Sequence, residues 1–99
     1  MVDFFKALSN EHRIQILTWL KKPHAYFELD DIEPEVHEFG VCMSVIQKKA
    51  GLSQSTISSY LTAMVQIGLL TSIRNGQWTY YKRNELKIAE LAAYIKNQL

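Results

Sequence analysis

The chain has a single cysteine, Cys42. An intrachain disulfide framework is therefore excluded, and a reducing cytoplasm is the expected setting. Prolines number only two, Pro23 and Pro34, and both fall in one acidic stretch, residues 23–39. No apolar run approaches the roughly 20 residues that span a bilayer. Met1-Val2-Asp3-Phe4-Phe5-Lys6 has neither the charged start nor the long apolar run of a secretory signal. Internal repeats, low-complexity tracts, a Gly-rich phosphate loop and a nucleophile motif are all missing. Asp30 and Asp31 sit side by side without a supporting His or Lys scaffold. These absences point away from a membrane protein, from an enzyme and from a cofactor.

What is present fits one domain over residues 1–99, with 47% apolar residues to supply a core. The most informative stretch runs from Lys48 to Leu61: a helix end, Gly51 as a turn, Ser53 as an N-cap, then a second helix. A sharp break containing Gly between two helices is the helix-turn-helix arrangement, whose second helix enters the DNA major groove. Ile57, Leu61, Met64, Val65 and Gly68 recur at helical spacing and form the inward stripe. Ser55, Ser59, Thr62 and Gln66 fall opposite, with Gln54 and Ser58 on the flanks. Gln bridges adenine bidentately, and hydroxyls bond base edges or phosphates. Capping alone would account for Ser53, but not for so many polar side chains behind such a turn. The recognition helix is expected over about residues 53–67.

Next come 69–73 and 77–82, rich in β-branched and aromatic residues, around Arg74-Asn75-Gly76. Asn-Gly marks a hairpin whose type I′ turn needs positive φ at both central residues. A helix-turn-helix followed by such a ribbon is a winged helix, mainly α with a two-stranded β-wing over about 69–82. Arg74 and Gln77 are placed to serve that wing against DNA. The charge is polarised: residues 1–39 carry four basic against eight acidic groups, a balance of −4, while residues 40–99 carry seven against two, a balance of +5. The positive field lies on the proposed DNA-reading half, where Lys48 and Lys49 add nonspecific attraction. Ser53 and Thr56 are expected to fix the helix start and contact the backbone.

Asn10 is expected to cap a helix running to about Lys22, ended by Pro23, and Asn84 to cap one carrying Ile88, Leu91, Ala92, Ile95 and Leu99. That last stripe must be buried, either on its own domain or on a second copy. Pairing two copies would set two recognition helices on a palindromic site, with half-sites about one helical turn apart.

Residues 5–17 (FKALSNEHRIQIL), 50–58 (AGLSQSTIS), and 68–70 leading to 76–81 (GLL, GQWTYY) resemble the arsenic-repressor (ArsR/SmtB) family of bacterial winged-helix regulators. The resemblance implies a cytoplasmic homodimer joined through its first and last helices, here Phe4, Phe5, Leu8, Ile88, Leu91, Ala92 and Ile95. It also implies a repressor that holds a double-stranded operator until a signal, here an unknown inducer, releases it. The chain departs from the family pattern at the signal site. Metal-sensing members have Cys-Val-Cys where Gly40-Val41-Cys42 stands, and residues 85–99 contain no histidine. Tetrahedral zinc needs Cys, His or carboxylate ligands converging at fixed spacing, so no metal site is expected. Ser59-Tyr60 replaces a basic residue and a His frequent in relatives, which shifts sequence preference.

Cys42 is read as a small buried hydrophobe, with a thiol redox switch as the competing reading. His37 with Glu35 and Glu38 is read as solvated loop rather than as a metal site. Residues 23–39 have Tyr26, Phe27 and Phe39 as apolar anchors and are read as an ordered decoration, or as the cover of a small effector pocket. The alternative to a DNA-binding repressor is a winged-helix module that binds another protein.

Overall fold

A computed structural model describes residues 2–32 and 36–99. The order is α1 (Val2–Leu8), α2 (Glu11–Lys21), α3 (Pro23–Tyr26), a 3-10 turn at Leu29–Asp31, α4 (Val36–Phe39), β1 (Val41–Cys42), α5 (Met43–Ala50), α6 (Gln54–Gln66), β2 (Leu70–Asn75), β3 (Trp78–Arg83) and α7 (Glu85–Gln98). Three polar side chains set where the long helices begin, each satisfying amides that have no partner within the helix. Asn10 accepts from the amides of His12 and Arg13 at 2.9 and 3.2 Å. Ser53 accepts from Thr56 and Asn84 from Lys87, both at 3.2 Å.

The expected inward stripe of α6 forms the centre of the core: Ile57, Leu61 and Met64 are fully buried. Ile46 of α5 and Ile16 and Leu20 of α2 close on it from the helical side, and Val41, Leu69, Leu70 and Tyr81 from the sheet. Each such apolar side chain contributes about 1.5–3 kcal/mol relative to exposure.

Four features add to or correct the expectations. First, the expected two-stranded wing, β2 with β3, is joined by a third strand, in the order β1-β3-β2 and antiparallel throughout. Val41 and Cys42 pair with Tyr81 and Tyr80, and the next helix starts at Met43. The pairing depends on Gly40, at φ +97, because a Cβ there would collide with the carbonyl of Tyr81. Second, the hairpin turn lies one residue further on. Asn75 pairs with Trp78, so Gly76 and Gln77 form the loop, and only Gly76 has positive φ; this is not the type I′ Asn-Gly turn. Third, Pro23 does not simply end α2 but opens α3 at its first turn, where its missing N–H costs nothing. Fourth, Leu91 is 6% exposed and belongs to the core of its own domain, so part of the α7 stripe folds inward.

The acidic stretch is anchored through two of its three aromatics. Phe27 is buried edge-on to Trp19, with ring centroids 6.2 Å apart, and Phe39 tilts against Tyr80 at 5.7 Å. Tyr26 is exposed. Glu35 lies outside the described residues, as does the side chain of His37.

Candidate nucleic-acid interface

The turn between α5 and α6 is built from Gly51, whose φ of 68 and ψ of 24 are left-handed. Its amide donates to the Gln47 carbonyl at 2.9 Å, and Gln47 Nε2 reaches the Leu52 carbonyl at 3.3 Å. An αL glycine with a bond of this kind is a common helix stop. Ser53 then starts α6, and its hydroxyl donates to Thr56 Oγ1 at 2.8 Å. Ser53 and Thr56 are thus engaged in holding the helix start.

Beyond that start, Gln54, Ser55, Ser59, Thr62 and Gln66 are exposed and Ser58 and Thr56 are half-buried. Gln54 lines a groove of about 390 Å3 together with Arg74 and Gln77 of the wing. Arg74 Nε donates to the Gly76 carbonyl at 3.2 Å, which bends the side chain over the loop. Gln54, Arg74 and Gln77 therefore line one concavity, formed by the first turn of α6 and the hairpin.

Lys48 and Lys49 do not line it. Lys48 Nζ pairs with Asp31 at 3.1 Å, and Lys49 Nζ stands over the rings of Trp19 and Phe27 at 5.1 and 5.8 Å. Both cations of α5 are engaged with the acidic segment and its aromatic anchors. Five groove residues are not among the site residues the sequence suggests: Met43, Ser44, Gln47, Thr79 and Trp78, the last 50% exposed.

Tyr60 was also underestimated. Its hydroxyl accepts from Asn10 Nδ2 at 3.4 Å, its ring stacks on His12 at 6.3 Å, and the Arg13 guanidinium lies 5.4 Å from the ring centroid. These contacts bolt the start of α2 to the recognition-type helix at the position beside exposed Ser59.

Cys42 is half-buried, with Sγ 3.4 Å from Ser44 Oγ, and borders the same groove. Of the expected pairing residues, Phe5, Ala92 and Ile95 are exposed, while Phe4, Leu8 and Ile88 are partly buried against the core. Val2, Leu86 and Leu99 add further exposed apolar surface on α1 and at α7. Among the described residues no three His, Cys, Asp or Glu side chains converge as a metal site would require. No described helix is long and apolar enough to cross a membrane.

No protein-family profile matches the chain. Individual relatives do. The HTH-type transcriptional regulator YbzH of Bacillus subtilis is 44% identical over 98 residues, covering 99% of this chain and 97% of YbzH. The cadmium resistance transcriptional regulatory protein CadC of Listeria innocua is 31% identical over 88 residues, which are 89% of this chain and 61% of CadC. Among solved structures, the homodimeric winged helix-turn-helix DNA-binding domain of Mb0332 from Mycobacterium bovis, an ArsR-family candidate, superposes with a TM-score of 0.64 at 25% identity. That match covers 96% of this chain and 73% of the other. The chain belongs to the ArsR/SmtB family of winged helix-turn-helix transcriptional regulators. In this ArsR-family regulator the groove between α6 and the wing lies on the helix-turn-helix and wing themselves.

Proposed function

We propose that residues 1–99 act as one cytoplasmic DNA-binding domain that pairs with a second copy and represses transcription from an inverted-repeat operator. The observation that carries this reading is the groove that Gln54 lines together with Arg74 and Gln77, with Ser55, Ser59 and Thr62 exposed further along α6. A helix presenting amides and hydroxyls reads base edges, and a cation near the tip of a hairpin reaches phosphates or a minor groove. Ser58 reads a base or the adjoining phosphate, and Ser53 and Thr56 support the helix start that presents them. Phe5, Ala92 and Ile95, with Phe4, Leu8 and Ile88 behind them, supply the pairing surface between copies; Leu91 supports it from inside the domain.

The engagement of Lys48 and Lys49 elsewhere makes a single copy a weak binder, and pairing compensates because two linked half-site contacts act together. The test is selection of bound fragments from the source genome, followed by titration at two salt concentrations. Recovery of an inverted repeat bound far more tightly than random DNA is expected. Binding without sequence preference would instead favour the protein-interaction reading.

A thiol-responsive variant of this function is favoured by one observation, the half-buried Cys42 at the edge of the groove. It predicts that peroxide weakens operator binding by the native protein and leaves Cys42→Ser unaffected. Equal loss in both proteins would remove Cys42 from the signal.

A further inference from the structure

A second hollow lies apart from the groove beside α6. It has a volume of about 490 Å3 and lies where the end of α2, the entry to β1, the end of β3 and the start of α7 meet. Three cations, Lys21, Lys82 and Arg83, line it, together with Thr71, Asn84 and, among the described residues, one carboxylate, Glu85. Two of the cations are fixed by neutral oxygens. Lys82 Nζ donates to the Glu38 carbonyl at 3.0 Å, and Arg83 Nη1 to the Leu17 carbonyl at 3.5 Å. A carbonyl orients a cation without cancelling its charge, so these groups stay positive and pre-positioned.

Arg83 is held further by Glu85, with Nη2 3.0 Å from Oε1 and Nε 2.9 Å from Oε2. The side chains differ in exposure: Arg83 is 12% exposed and Glu85 is 66% exposed. The cation is built into the wall, while its carboxylate partner projects into solvent and is free to swing away. An incoming anion would occupy the position Glu85 leaves. The floor is apolar, made by Leu20, Pro23 and Tyr81. A volume in the range of small-molecule sites, an apolar floor and a surplus of fixed cations describe a receptor for a small organic anion.

We propose that this hollow binds a small organic polyanion bearing carboxylates or a phosphate, received by Lys21, Lys82 and Arg83 with Glu85 as the displaceable internal competitor. The position gives occupancy a consequence. Lys82 and Arg83 end the wing strand, and Glu85 opens the helix that carries Ala92 and Ile95, so a ligand there bears on both wing and pairing helix. That regulatory consequence rests on the DNA-binding reading above; binding itself does not.

The test is a backbone NMR titration of the full chain with citrate and, separately, with inorganic phosphate, at ionic strength held constant with chloride. Saturable shifts are expected at Gly40, Thr71, Asn84 and Glu85 with at least one probe. Lys21→Gln combined with Lys82→Gln should weaken the response by about tenfold or more. Glu85→Gln, which removes the competitor, should strengthen it and guards against a double variant that fails to fold. Absence of saturable shifts with both probes would overturn the proposal. So would shifts centred on residues 54–59, or a response unchanged in all variants. Operator titration with and without the bound probe then separates the two claims: a chain that binds citrate but no DNA keeps this site and loses the repressor reading.

Discussion

At the scale of single residues, Gly40 and Gly51 both have positive φ but differ in what surrounds them. A Cβ at Gly40 would strike the Tyr81 backbone, whereas nothing lies within 4 Å of one at Gly51. Gly40→Ala should therefore cost upwards of about 4 kcal/mol, among the largest single-residue effects. Gly51→Ala should cost only the left-handed backbone penalty of about 1–2 kcal/mol. Urea unfolding of the two variants checks the difference, and similar midpoints would show that β1 yields easily. Tyr81 makes a second prediction at this scale. Burial raises its pKa above 10.0, and a negative charge on the nearby Cys42 sulfur adds to the rise. The folded state thus holds this phenol proton more tightly than the unfolded chain. Stability contributed by Tyr81 is full below pH 10 and declines as pH climbs through the raised value. Tyr81→Phe should flatten that alkaline decline in thermal melts, though it leaves the ring packing in place. At the interface, Gln54→Ala should cost roughly 1–3 kcal/mol at one base step if it is a bidentate reader. Equal loss on all sequences would reassign it to the backbone.

At the scale of elements, α6 was the most legible part of the chain and β1 the least. Ser53, the Ile57-Leu61-Met64 spacing and the polar face opposite are all local, so the periodicity and cap that define α6 are written within it. β1 has no such local signature. Its two residues become a strand only because Tyr80 and Tyr81 lie opposite, nearly forty positions away, and because Gly40 lets them approach. The same reasoning explains why the partners of Lys48 and Lys49 are not legible in the sequence. Asp31 reaches Lys48, and the rings of Trp19 and Phe27 reach Lys49, only through tertiary packing. The wing allows a direct test of its own role. Arg74→Ala should weaken operator and random DNA alike and reduce the salt slope of binding by about 1, the signature of one lost phosphate contact. A change confined to one base position would instead make Arg74 a base reader.

At the scale of the whole molecule, two separate demands fall on the terminal helices. α7 buries Leu91 inward, yet leaves Ala92 and Ile95 exposed, and α1 leaves Phe5 exposed. A helix with apolar residues on more than one side needs more than one partner surface. Ile95→Glu should spare the monomer core and abolish pairing. Sedimentation should then show a monomer, and operator affinity should fall to that of one half-site. A variant that stays dimeric would shift the pairing surface elsewhere. The uneven charge, −4 before residue 40 and +5 after it, gives the proposed DNA-binding reading a further expectation: a copy bound to DNA presents its positive half to the phosphates.

The short reach of β1 gives the ribbon a gradient of rigidity. Pairing with β1 extends only to Tyr80 and Tyr81, so beyond Thr79 the hairpin has two strands and no third to brace it. Amide protons near the root should exchange slowly with solvent and those around Gly76 and Gln77 quickly, since local opening follows the density of local support. Such a ribbon behaves as a cantilever, clamped where it joins the body and compliant at its tip; on the proposed function, that tip would follow grooves of different width without disturbing α6.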